Sequence, residues 1–334
     1  MGNFSDREKP NNPNDPNNNS FISDELPSFN FLDVIFHETT PVQTFSNLYA
    51  KAEQGDSDVQ VMLGVMYFNG DGVKQNIPEA IKWFEKAAEK GEMDAQINLA
   101  KIYFLGQGVE RDILNAEKWF FKAAIQGDKK SQYNLALLYY NGEDGIPQNH
   151  VEARNWFAKS AENGYADAQE MLGYMYYYGE GGEIDFKEAF NWFEKAAEQG
   201  KTYAQFKRAW MCYEGEGVEK DLQRAVDLFT LVAKNEQTDK IVPAIENVQA
   251  EAQCNLADIY YFGEGNIEKN LDRAFYWYKK SAEQGNEMAQ FMLGKMYYYG
   301  EGVEENRTIA FMWINESADA LFPDALVFLD EHPN

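Results

Sequence analysis

The feature that most constrains this chain is a tryptophan that returns at a nearly fixed interval. It stands at Trp83, Trp119, Trp156 and Trp192, is replaced by Leu228, and returns at Trp277 and Trp313, in steps of 36, 37, 36, 36, 49 and 36 residues. A second series, Val59, Ala95, Ser131, Ala168, Ala204, Ala252 and Ala289, runs in step with it. Between the two lie glycine turns: Gly70-Asp71-Gly72, Gly106-Gln107-Gly108, Gly142–Gly145, Gly179-Glu180-Gly181, Gly215-Glu216-Gly217, Gly263-Glu264-Gly265 and Gly300-Glu301-Gly302. The copy at 167–200 shows what the unit is. Ala168, Leu172, Gly173 and Tyr176 fall on one stripe of a helix, and Ala189, Trp192, Phe193, Ala196 and Ala197 on a stripe of another. Gly200 closes the unit, as suits a left-handed helix end. Such a hairpin cannot bury its apolar sides alone, so it must stack on its neighbours. Seven copies predict an all-α solenoid, each unit stabilised by its own packing and by the next.

The run A-x-x-x-L-G-x-x-Y-x-x-G-x-G, followed by A-x-x-W-x-x-K-A-A-x-x-G, resembles the Sel1-like repeat, a relative of the tetratricopeptide repeat. Seven copies cover 57–325, as units at about 57–93, 94–129, 130–166, 167–202, 203–250, 251–287 and 288–323. The resemblance implies a right-handed α/α superhelix with terminal capping helices. It also implies an adaptor or scaffold of the kind found in bacterial signalling, envelope control and host interaction. The fifth copy departs most, with Arg208 for the leucine, Cys212 for the tyrosine, Leu228 for the tryptophan and Glu236 for the final glycine. Its helix pair is expected to pack more loosely.

Charge narrows the partners. Lys and Arg number 30 against 55 Asp and Glu, a net charge of −25. Nucleic-acid affinity rests on neutralising phosphates with Lys and Arg, and anionic membranes attract cations, so neither is an expected partner. A basic protein would be steered towards this surface, whereas the plain alternative is that the acidity serves solubility. Two cysteines, Cys212 and Cys254, exclude a disulfide-built scaffold. No secretory leader opens the sequence and no apolar run approaches the ~18 residues that span a bilayer. The expectation is a cytoplasmic monomer, with secretion by a signal-independent route left open.

Outside the repeats, residues 1–20 are Asn- and Pro-rich with little to bury, and read as disordered. Residues 21–36, FISDELPSFNFLDVIF, contain nine Phe, Ile, Leu or Val. They are either a lid on the first repeat or an occupant of the solenoid's own groove. Together with the half-repeat TFSNLYAKAEQG they form an N-terminal cap over 21–56, and 324–334 form the C-terminal one. An insertion near 236–247 follows the fifth repeat, with a helix expected to run on from Pro243.

Chemistry finds no foothold. His37, His150 and His332 are scattered, and no H-E-x-x-H, paired C-x-x-C, G-x-S-x-G or S-x-x-K occurs. Gly200-Lys201-Thr202 matches only the end of a P-loop, with Lys195 where the first glycine belongs. The acidic turns carry too few carboxylates for a calcium cage. No catalytic residue, cofactor or metal is expected.

The better candidate is the wall that the first helix of each repeat presents, which lines the concave side in the tetratricopeptide-like arrangement. Five residues after the recurring leucine stand Phe68, Phe104, Tyr140, Tyr177, Tyr213, Tyr261 and Tyr298. Tyr178, Phe262 and Tyr299 follow at plus six, Tyr174 and Trp210 stand at plus two, and Glu170 and Glu214 lie beside them. The candidate partner-binding set is Phe104, Tyr140, Glu170, Tyr174, Tyr177, Tyr178, Trp210, Tyr213, Glu214, Tyr261 and Tyr298. Aromatic faces attract cations and dominate hot spots, so this wall suits a basic or amphipathic protein segment. A cationic toxin or effector neutralised in this way is one specific form of that reading. The plus-five rings could instead fill gaps between repeats. A secreted effector acting on host proteins, and a small-ligand-binding or hydrolytic repeat protein, are the alternatives.

Overall fold

The computed structural model describes residues 41–142, 145–235 and 247–332. Every regular element among them is a helix. First-type helices α2 (Ser57–Asn69), α4 (Met93–Leu105), α6 (Lys129–Asn141), α8 (Ala166–Tyr178), α10 (Thr202–Glu214), α12 (Val248–Phe262) and α14 (Glu287–Tyr299) open the seven repeats. Second-type helices α3 (Ile77–Glu89), α5 (Ile113–Ile125), α7 (His150–Glu162), α9 (Phe186–Glu198), α11 (Leu222–Ala233), α13 (Leu271–Ala282) and α15 (Arg307–Asp319) close them. α1 (Pro41–Glu53) precedes the series and α16 (Pro323–Glu331) follows it. The result is the all-α solenoid that the period predicts. Among the described residues no helix is long and apolar enough to cross a membrane. The helices form two compact units that divide within α8: one reaches Gln169 and includes Glu180–Gly182, the other holds Glu170–Gly179 and the chain from Glu183.

Local chemistry sets the helix ends. Second-type helices start behind an Asn or Asp whose side chain accepts a first-turn amide, as Asn76 does from Glu79 N and Asp221 from Arg224 N. First-type helices stop at a left-handed glycine, such as Gly215 at φ 82° or Gly300 at φ 72°. The second glycine of several turns has another reason to be glycine. At Gly217 a Cβ would overlap the carbonyl of Phe186, where the previous repeat's second helix begins. The glycine after the recurring leucine lets the two helices of a repeat meet, since a Cβ at Gly173 would lie 2.8 Å from Phe193 Cδ1.

Successive repeats are joined by a glutamine. Gln60, Gln96, Gln132, Gln169, Gln205, Gln253 and Gln290 each donate a side-chain amide to the carbonyl of an alanine near the end of the preceding helix, from Ala52 of α1 to Ala282 of α13. The bond gives a further donor to a helix-end carbonyl, most of which also accept the amide of the closing glycine, as Ala124 does from Gly127 N at 3.1 Å.

One expectation needs correction. α12 does not run on from Pro243: Asn247 is non-helical at φ −146° and ψ 76°, and its side chain accepts from Ala250 N, so the helix begins at Val248. The insertion's residues 236–246 lie outside the described residues, as do residues 1–40, which include the proposed lid. The fifth repeat keeps a closed core, with Ala209, Met211, Cys212, Phe229 and Val232 fully buried, while Arg208 and Leu228, at two of its departing positions, are half-buried.

Candidate functional site

The plus-five tyrosines stand on the last turn of each first-type helix, next to the glycine turn of the following repeat. In the second unit Tyr177 donates to Glu216 at 2.7 Å, Tyr213 to both oxygens of Glu264 at 2.9 and 2.8 Å, and Tyr261 to Glu301 at 2.5 Å. The acceptor is each time the middle residue of a G-E-G turn. Burial first, and the carboxylate's hydrogen bond second, push the Tyr213 and Tyr261 hydroxyls far above the ordinary tyrosine range. Both therefore remain donors at any physiological pH.

The ring faces are also in use. Lys220 Nζ lies 5.1 Å from the Tyr213 centroid, Lys269 Nζ 5.2 Å from Tyr261 and the Arg307 guanidinium 5.0 Å from Tyr298. In the first unit Arg111 lies 5.2 Å from Phe104. Each cation sits beside the N-cap of the following second-type helix. The chain's own cations thus take the contacts that the sequence reading reserves for a partner.

The candidate residues consequently separate. Phe104, Glu170 and Tyr174 are buried, with Glu170 accepting from Ala204 N at 3.1 Å. Tyr140 stacks on His150, centroids 4.9 Å apart, whose Nδ1 lies 3.9 Å from Glu180. Tyr177 and Tyr178 enclose Lys207, a lysine only 1% exposed, whose ammonium lies 4.6 Å from the Tyr177 centroid and donates to the Tyr178 hydroxyl at 2.9 Å. Tyr298 packs on Phe311 and on Phe328 of α16. Half-buried Trp210 leans on Tyr213 at 5.7 Å. Of the candidate set only Glu214 is exposed. The plus-six residues Phe262 and Tyr299 join it, 54% and 53% exposed, each against its plus-five neighbour.

Sequence reasoning missed two participants, Lys207 and Asp258. Lys207 could have been found, because it replaces residues such as Met171 and Met292 in a column that faces inwards. Asp258 falls in the plus-two column of the sixth repeat, where the Tyr278 hydroxyl donates to it. Burial raises its carboxyl from 3.8 to about 6 against the opposing effect of that bond, with Glu264 adding to the rise.

Reactive groups are not gathered. Among the described residues no three His, Cys, Asp or Glu are placed to hold a metal. Burial raises the thiols of both Cys212 and Cys254, away from the reactive thiolate. A hollow of about 480 Å³ at the α4–α5 turn is lined by Tyr103 and residues 109–114. Its Asp112 is held below the ordinary carboxylate range by the Asn115 amide that it caps, so it remains ionised.

The Sel1 repeat profile matches residues 57–92, 94–128, 129–165, 166–201, 202–235, 250–286 and 287–320. Among solved structures, a protective antigen of uropathogenic Escherichia coli with an SLR fold is 35% identical over 86% of this chain, with a TM-score of 0.70; this chain spans 58% of that protein's length. A Sel1 repeat protein from Oxalobacter formigenes is 29% identical over 89% of this chain and 82% of its own, with a TM-score of 0.61.

Proposed function

The chain belongs to the Sel1 repeat family, and from that premise we propose that it is a protein-binding scaffold. Its second unit offers an acidic, aromatic face to a basic or amphipathic segment of another protein. The observation that supports this best is the row of turn carboxylates, Glu216, Glu264 and Glu301, each held by a tyrosine of the preceding repeat. A hydroxyl fixes a carboxylate in place without cancelling its charge. The row therefore keeps its negative charge at ordered, regularly spaced points, and ordering them costs a ligand nothing. Exposed Phe262 and Tyr299, with Glu214 on the same wall, supply apolar area beside the charge.

Within this reading Tyr177, Tyr213 and Tyr261 position carboxylates, while Glu214, Phe262 and Tyr299 meet the partner. No catalytic step is part of it. The test is affinity capture from the native organism, comparing wild type with a Glu214→Gln, Phe262→Ala, Tyr299→Ala variant by mass spectrometry. These side chains are exposed, so the variant is expected to keep its helical signal. Loss of one captured basic protein is the expected result, since hot-spot truncations cost ~2 kcal/mol or more each. Equal capture by both proteins would remove this face from the reading.

A further inference from the structure

The first helix of the first repeat has no polar side. Val59, Val61, Met62, Leu63, Val65 and Met66 follow one another around α2, a pattern that belongs to a helix covered on all sides. Among the described residues only one side is covered. Val59 and Leu63 are buried with Ala52 and Trp83, while Val61, Met62, Val65, Met66 and Phe68 remain partly exposed. Two of these positions are closed one and two repeats later. Met66 corresponds to Ile102 and Leu138, 0% and 2% exposed, and Met62 to Asn98 and Asn134, 3% and 7% exposed. The difference has a plain cause. α2 packs on α4, as α10 packs on α12, so later first-type helices are covered by the one before. Among the described residues no first-type helix precedes α2.

We propose that residues 21–36 of this chain cover the open side of α2. This segment carries nine large apolar residues in sixteen and no Lys, Arg or His. It ends five residues before α1, and α1 itself packs on α2. The five steps from Phe36 to Pro41 span at most about 17 Å, whereas packed helices lie about 8–10 Å apart, so the segment reaches this face within the first repeat. A short tether also holds it at an effective concentration in the millimolar range, far above that of a second copy in dilute solution.

Two measurements on the full chain test this. The first pairs Leu32→Cys with Val61→Cys or with Val65→Cys under mild oxidation; the native Cys212 and Cys254 are buried and do not compete. A disulfide within one chain, seen as a monomer that changes mobility on reduction, is expected. No disulfide in either pairing, or one that joins two chains, would overturn the proposal and in the second case assign the face to a dimer. The second measurement is hydrogen exchange in a Phe29→Ser, Leu32→Ser, Phe36→Ser variant. Amides of 57–69 are expected to exchange about tenfold faster or more, with 287–299 unchanged. Unchanged exchange over 57–69 would also overturn it. If the variant unfolds throughout, the disulfide pairs decide.

Discussion

Tyr213 joins two repeats through one side chain. Its ring is in contact with Trp210 and Lys220, and its hydroxyl donates to Glu264, 51 residues further along the chain. Tyr213→Phe keeps the ring and removes the donor, and is expected to cost about 1.5–3 kcal/mol in urea unfolding, the range for a hydrogen bond to a charged group. Tyr213→Ala also loses ring packing and should cost about 2–4 kcal/mol. A Tyr213→Phe variant as stable as wild type would mean that the hydroxyl contributes nothing, and equal costs for the two variants that the ring contributes nothing. Asp258 makes a pH-dependent contribution of known sign. Its folded-state pKa of about 6 lies above the ordinary 3.8, so between these values the folded chain binds more protons than the unfolded one. Stability from this group therefore falls as pH rises through that window. Two pKa units set an upper bound of about 3 kcal/mol. Asp258→Asn should raise the melting temperature at pH 7.5 and change it little at pH 4; a gain equal at both would show that another group titrates. The aromatic column was readable from its period, but its partners were not. A period tells which residues share a face, and not that the neighbouring turn carboxylate already holds each hydroxyl. For the same reason Phe104, Glu170 and Tyr174 looked available and are buried.

At the scale of elements, the helices and turns followed from spacing because each repeat states the same pattern again. The start of α12 did not, since the local cue of Pro243 pointed to one boundary and the Asn247 cap makes another. The glutamine joint was also visible, as one residue type repeated in seven copies, yet a glutamine in a helix is ordinarily placed facing water. In this fold it is buried because it answers a helix-end carbonyl. The joint between Gln253 and Ala233, 3.0 Å, persists across the inserted residues, which explains how an insertion is accommodated without opening the sixth repeat. Gln132→Ala removes one of the two donors to the Ala124 carbonyl, which keeps the Gly127 amide, and should destabilise by about 0.5–1.5 kcal/mol. Exposed Gln223→Ala should change stability by less than about 0.5 kcal/mol. Similar values for the two would remove the joint from the account of stability. Because repeats couple mainly to their neighbours, the loss should appear first as faster hydrogen exchange in α5 and α6.

At the scale of the whole molecule, the charge of −25 acts on folding and on binding with opposite signs. Within the chain, like charges repel and oppose compaction, so added salt should stabilise it. The Debye length falls from about 30 Å at 0.01 M salt to about 8 Å at 0.15 M, short enough to separate one repeat's charges from those two repeats away. A gain of about 1 kcal/mol corresponds to roughly 2–4 °C in melting temperature for a chain of this size class. Binding of a basic segment to the Glu216, Glu264 and Glu301 row should weaken over the same range, mainly through slower association. Both can be read on one sample series, melting by circular dichroism and association by surface plasmon resonance with the captured partner. Opposite slopes would tie the acidity to recognition. A melting temperature that rises while association stays flat would confine the charge to solubility and leave Phe262 and Tyr299 to carry the contact by apolar burial.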